Sequence, residues 1–208
     1  INGAMVIDQR NAGASITLSG ASQFPVDRFV ASRDTAGATC TAQQSSTATT
    51  GFTKSLLWTT TTGATSGASD ESVIWQNIEG FNVADLAWGT ASAATVTLSF
   101  WVRSSLTGTF GVSFRSPSGS RNYVGSYTIN SANTFEYKTV TVAGDTIGTW
   151  PTDNSTGLRI TWDMGCGTSK STTAGSWGAG NLPGLTGGVK VSANTGATFY
   201  ITGVQLEA

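Results

Sequence analysis

No histidine occurs among the 208 residues, and that absence narrows the available chemistry at once. A Ser-His-Asp or Cys-His relay, an HExxH zinc site and a base poised near neutral pH without a large shift all need an imidazole. Cys166, in the stretch GCG, has the outline of a nucleophile position. With no partner to activate it, it reads as a small buried residue. Two carboxylates flanking the bond can hydrolyse glycosides without help. Of the 12 Asp and Glu, Asp70 and Glu71 are neighbours and so point to opposite faces of an extended strand. Nothing in the spacing of Glu136, Asp153 and Asp163 singles out a pair, so the chain is read as non-enzymatic. Asp8, Asp70, Glu71 and Glu207 offer oxygen ligands, but the DxDxDG spacing of a calcium loop is lacking. No cofactor is assigned, a structural calcium being the one open alternative. No Gly-rich stretch follows a strand and opens a helix, so phosphate cradling is unsupported.

Surface recognition is what remains. Saccharides are held by aromatic faces against the C–H-rich side of the ring, with charged and amide groups reading the hydroxyls. In TVTLSFWVRSS, Thr95–Ser105, a period of two puts Val96, Leu98, Phe100 and Val102 on the core face. The opposite face then carries Trp101 and Arg103 among threonines and serine. Arg115 points outward on the next strand and would sit beside Arg103 if the two strands pair as a hairpin. Tyr123, Tyr127 and Tyr137 are placed to line the same sheet. Trp177, in AGSWGAG, is flanked by residues that cannot bury it, so it must dock elsewhere or touch a ligand. Trp101, Arg103, Arg115, Tyr123 and Trp177 are accordingly the candidate ligand-binding residues. The plainer reading covers this face with the long Gly-rich segment, with a second subunit, or only in part.

The elements that must position these residues are strands. Charged residues make up 11% and apolar ones 38%, and 26 glycines punctuate a chain rich in Ser and Thr. Nine Phe and seven Trp supply enough apolar surface for a core, which argues against disorder. Alternation marks strands at 4–9, 15–19, 26–32, 52–60, 72–78, 95–104, 109–116, 122–129, 135–142, 158–164, 189–193 and 198–206. PSGS reads as a tight turn between two of them. Phe135 and Tyr137 are out of phase with Val140 and Val142, which predicts a bulge. Val83–Trp88 is the one short helical candidate, with Asn82 as its cap. Residues 165–188 have no periodicity. Without repeats or linkers the chain reads as one domain, 1–208, an all-β antiparallel two-sheet jelly-roll sandwich.

A formal charge of −1 with scattered Lys and Arg gives no basic footprint for nucleic acid. No apolar run reaches membrane-spanning length, and the opening INGAMVIDQRNAG has no basic region followed by an apolar one. Cys40 and Cys166 fit either a single long-range disulfide or two free thiols.

Several stretches carry a resemblance. TVTLSFWVRSSLTG followed by SYTINSANTFEYKTVTVAGDT resembles the central strands of jelly-roll carbohydrate-binding modules, where an LSFWV strand precedes one reading W-x-x-x-T-V-T. The close, ATFYITGVQLEA, resembles their last strand. RNAG near the start together with FYITGVQLEA resembles domains of bacteriophage tail fibres and other virion proteins. The resemblance spans Asp8 to Ala208. It implies a module on the virion surface that binds a glycan or cell-surface polysaccharide and self-associates, most commonly as a trimer. A purely structural role in capsid decoration or fibre assembly is the alternative. Many such modules carry an aspartate pair for calcium in the last strand; here Thr202 and Gly203 stand at those positions.

Overall fold

The structure is a computed structural model and describes residues 1–208. It contains no α-helix. In chain order the strands are β1 (Ile16–Thr17), β2 (Gln23–Val26), β3 (Phe29–Ser32), β4 (Thr39–Ser45), β5 (Ser55–Thr62), β6 (Glu71–Glu79), β7 (Val96–Ser104), β8 (Gly108–Arg115), β9 (Arg121–Ile129), β10 (Glu136–Val142), β11 (Thr156–Cys166), β12 (Ser171–Thr172), β13 (Trp177–Ala179), β14 (Gly184–Leu185) and β15 (Thr198–Glu207). A six-stranded sheet runs β1-β4-β5-β15-β7-β10, and a seven-stranded sheet runs β13-β9-β8-β11-β6-β3-β2. Every pairing within these two sheets is antiparallel. The chain crosses between the two sheets from β1 to β2, β3 to β4, β5 to β6, β6 to β7, β7 to β8, β9 to β10, β10 to β11 and, after β13, to β15. That repeated crossing is jelly-roll wiring, and it leaves few local hairpins.

The core follows from period-two alternation. Val96, Leu98, Phe100 and Val102 of β7 are at most 1% exposed. They face Phe110, Val112 and Phe114 of β8 and Leu158, Ile160, Trp162 and Met164 of β11, all within one cluster of 32 buried residues that runs from Met5 to Ile201. Phe100 meets Trp162 edge-on, ring centroids 5.7 Å apart at 90°, and Tyr127 at 5.0 Å. The PSGS turn joins β8 to β9, closed by Gly119 N–H donating to Ser116 O at 3.0 Å.

Several local expectations are corrected. β10 keeps an unbroken register from Glu136 opposite Val102 to Val142 opposite Val96. Phe135 and Tyr137 therefore lie on the outer face and the valines on the inner one, with no bulge between them. Bulges occur instead within β11 and within β15, between Thr202 and Gln205. Residues 4–9 form no strand; Asn2 Nδ2 donates to the carbonyls of Ile7 and Asp27 and holds them as a turn. Val83–Trp88 holds the expected short helical turn as a 3-10 turn, Ala84–Leu86, but with Val83 rather than Asn82 at its cap and no side-chain capping bond; another 3-10 turn, Gly80–Asn82, precedes it. Residues 189–193 hold another such turn, Val191–Ala193, rather than a strand. Cys40 and Cys166 are both buried and free.

The long segment after β11 crosses the outer face of the seven-stranded sheet. Asp163, 1% exposed, accepts hydrogen bonds from the amides of Cys166 (2.8 Å) and Leu185 (2.9 Å) and from Lys190 Nζ. Gly111 of β8 makes the close approach possible, since a Cβ there would lie 2.7 Å from Leu185 Cβ. A second buried anchor closes the end of the sandwich. Asp145, 1% exposed, accepts two bonds of 2.7 Å from Arg121 and one of 3.3 Å from the Trp150 indole. Asp145→Ala leaves the Arg121 guanidinium without its partner and is expected to cost about 3–5 kcal/mol. Arg10→Ala, which breaks the exposed pair with Asp27, is expected to cost about 1 kcal/mol or less. Denaturant midpoints at constant slope compare the two; equal losses would contradict the assignment of Asp145 as an anchor.

Candidate functional site

Two outer sheet faces carry the polar and aromatic chemistry, and they differ in what covers them. On the six-stranded sheet, cross-strand neighbours form a row Gln43–Leu57–Tyr200–Arg103, with Thr202–Trp101–Tyr137 beside it. Trp101 and Tyr137 lie 5.4 Å apart with rings tilted by 52°. The Arg103 guanidinium sits over the Tyr200 ring, 4.9 Å from its centroid, and Phe135 packs edge-on against Tyr200 at 6.2 Å. Tyr137 is 53% exposed; Trp101, Arg103, Phe135 and Tyr200 are half-buried. Trp101, Arg103, Phe135, Tyr137 and Tyr200 make one aromatic strip on three adjacent strands, with a cation fixed in its middle.

The fixing has a local cause. Arg103 Nε donates to Asn133 O at 2.8 Å, and Asn133 N–H donates to Ser104 O at 2.7 Å. Asn133 takes a left-handed φ of 59°, a conformation Asn tolerates better than most residues. The connection from β9 to β10 is tied down by Glu136, which accepts from the amides of Asn130 (2.9 Å) and Ser131 (2.8 Å) and from Lys138 Nζ at 2.6 Å. On the other flank, Thr202 Oγ1 donates to Lys54 O at 2.7 Å. Gly203 has φ +63°, and a Cβ there would lie 2.6 Å from the Phe52 ring. Thr202 is thus committed and Gly203 has no side chain, so the carboxylate pair that would hold calcium in the last strand is missing. Asp8, Asp70 and Glu207 serve local turns or neighbours, and Glu71 pairs with Arg115 and Lys170.

The candidate residues divide between the sheets. Trp101 and Arg103 share the open strip as expected. Arg115 does not sit beside Arg103: β7 and β8 belong to different sheets, and Arg115 is 2% exposed beneath the crossing segment. Tyr123 and Trp177 are drawn into an aromatic plug at the end of the sandwich. Trp88, Trp150 and Trp177 form a triangle of edge-on indoles at 4.8–5.6 Å, and Tyr123 meets Trp177 at 5.5 Å. Trp177 Nε1 donates to Ala143 O at 2.7 Å. Trp177 therefore docks, and β13 pairs with β9 to hold it. Tyr127 is 5% exposed in the core. Phe135, Tyr137 and Tyr200 complete the strip; the out-of-phase aromatics of β10 were the signal for two of them.

A cavity of about 350 Å³ is lined by Val83, Leu98, Ile160, Leu206 and the Arg28–Glu79 pair among others. Glu79 is its single carboxylate, so the paired acids of glycoside hydrolysis are not assembled there.

No family model matches the chain, and no curated protein does. Similar solved structures include the enzymatically active domain of bacteriophage CBA120 tailspike protein 4, at 14% identity, TM-score 0.47, covering 90% of this chain and 20% of that one. The chain thus spans about a fifth of that tailspike domain. A family 11 carbohydrate-binding module from Clostridium thermocellum, in complex with a β-1,3-1,4-mixed-linked tetrasaccharide, is 14% identical, TM-score 0.42, covering 94% and 96%. The tandem CBM22-1–CBM22-2 domain of Paenibacillus barcinonensis Xyn10C is 15% identical, TM-score 0.47, covering 96% and 50%. At these values the similarities assign neither a family nor a ligand.

Acid should loosen the strip from its anchor. Partial burial raises the Glu136 pKa, but the Lys138 ammonium and the amides of Ser131 and Asn130 outweigh it and hold the carboxyl at about 2 instead of 4.5. A depressed folded-state pKa stabilises the protein above the unfolded value, and that contribution is lost as pH falls from about 4.5 toward 2. Allowing for solvent screening, it is worth about 1–2 kcal/mol. Stability measured against pH should therefore fall less steeply over that window in Glu136→Gln than in the parent protein. Parallel curves would show that Glu136 does not anchor this turn.

Proposed function

We propose that the chain is a non-catalytic saccharide-binding module of a phage virion, displayed on a tail fibre or capsid surface, that contacts host-surface polysaccharide through the outer face of the six-stranded sheet. The observation that carries this reading is the open strip of Trp101, Tyr137, Tyr200 and Phe135 around Arg103. Aromatic planes on a rigid sheet offer apolar contact to sugar rings at little entropic cost, and a guanidinium held in place by Asn133 O and Tyr200 supplies directed donors to hydroxyls. The absence of histidine and the single carboxylate of the cavity beside Leu98 and Ile160 support a non-catalytic role. The virion setting and a trimeric assembly rest on the RNAG and FYITGVQLEA resemblance.

One observation favours a second reading, that of an assembly domain without ligand. β10 is a sheet edge, and exposed Tyr137 stands on it, so the strip also adjoins a free edge suited to contact with another copy. Host-cell adsorption and a bacterial polysaccharide array, read together with the oligomer mass, separate the two. Trp101→Ala and Tyr137→Ala should each weaken binding by about tenfold, of the order expected for an interface aromatic, with the mass unchanged. Unchanged adsorption with a smaller oligomer would replace saccharide binding with assembly.

A further inference from the structure

The outer face of the seven-stranded sheet holds a second, differently charged site. Arg159 of β11 and Arg115 of β8 face each other in register, and Asn77 and Asn122 extend the same row on either side. Like charges directly opposed on a sheet are unfavourable unless something offsets them. Glu71 offsets only part: it touches Arg115 Nη1 at 3.4 Å and Lys170 at 3.5 Å. Arg159 has no carboxylate partner. Its one hydrogen bond runs from Nε to Asn77 Oδ1 at 2.8 Å, and its guanidinium lies 5.6 Å from the Trp75 ring centroid. Both Nη groups are left to face outward from a half-buried position. Three cations thus meet one anion, in a chain whose formal charge is −1.

The layer beneath points the same way. Arg115 Nη2 donates to Thr161 Oγ1 at 3.1 Å and Nη1 to Asn181 Oδ1. Arg115 Nε, Ser113 Oγ and Asn122 Oδ1, from side chains at most 2% exposed, have no partner within the protein. Buried polar atoms are almost always satisfied, and these unpartnered ones on neighbouring strands leave the layer around Arg115 under-compensated. Desolvation and the neighbouring Arg159 charge both lower the Arg115 pKa against the pull of Glu71, as expected of an under-compensated cationic pocket.

We infer that this face binds an acidic saccharide, whose carboxylate or sulfate ester is taken by Arg159 beside Arg115 and Lys170, with Trp75 and Asn77 against the ring. The saccharide rests on the reading of the chain as a glycan-binding module, whereas the site is independent of the Trp101 strip. A planar guanidinium with both Nη groups free matches the two oxygens of a carboxylate or sulfate, and a neutral sugar offers no counter-charge to the pair. Lys170 and Asn181, from the segment crossing this sheet, reach Glu71 and Arg115, so that segment takes part in the charge balance of this face.

Calorimetric titration tests the inference with three probes: an oligogalacturonate (carboxylate), a heparin-derived oligosaccharide (sulfate) and cellohexaose (neutral). At least one acidic probe should bind, more weakly at high salt, and whichever binds identifies the acid. Arg159→Ala should weaken that binding by about tenfold or more, Arg159→Lys by less, and Trp101→Ala should leave it unchanged. Cellohexaose should not compete. Arg159 is half-buried, so circular dichroism should show both variants folded. Failure of both acidic probes to bind, or full binding by folded Arg159→Ala, would overturn this site and leave the Trp101 reading standing. Loss of acidic binding in Trp101→Ala would place the ligand on the other sheet and also overturn it.

Discussion

Phe100 against Trp162 is the contact on which the rest depends. Each ring belongs to a different sheet, and their edge-on packing, with Phe29 and Tyr127 around them, holds the two sheets in register across the core. Side chains alternate along a strand, so committing Phe100 inward commits Trp101 and Arg103 outward; a slip by one residue would exchange the core for the aromatic strip. The surface is therefore a consequence of the core. Cross-strand pairing then sets Tyr137 and Tyr200 next to Trp101 and Arg103 without any dedicated loop.

Alternation alone places Trp101 and Arg103, and it identifies the inner faces of β7, β8 and β11. It says which way a side chain points but not what lies above it. Arg115 points outward as the pattern requires and is still buried, because a segment with no periodicity of its own crosses that face and Gly111 lets Leu185 come close. Adjacency in sequence misleads in another way. β7 and β8 are joined by a short turn, but that turn passes from one sheet to the other, so Arg103 and Arg115 end on opposite sides of the molecule. Trp177 shows the converse: its glycine-rich neighbours cannot bury it, yet Trp88 and Trp150, remote in sequence, can. Tyr200 is legible only after the register of β15 against β7 is known. Trp75 and Arg159 meet only through the pairing of β6 with β11.

The two outer faces differ in their chemistry. The six-stranded sheet shows aromatic rings and one anchored cation, which suits stacking against neutral sugar rings. The seven-stranded sheet shows opposed guanidiniums with too few counter-charges, which suits an acid. The sheets can differ this way because their cover differs. One is flanked only by the residues around Phe52 and by the Glu136-tied turn; the other is crossed by residues held through Asp163. Low overall charge makes the local excess at Arg159 stand out, since few distant carboxylates are available to offset it.

The central claim, that the Trp101 face is open in the protein and is the surface saccharide covers, can be read from the seven indole N–H resonances in the presence of a soluble paramagnetic agent. The account predicts strong relaxation of Trp101 in the free protein and protection of it on adding bacterial-surface polysaccharide, while Trp88, Trp150 and Trp177 remain unchanged. A Trp101 resonance already shielded without saccharide would contradict it.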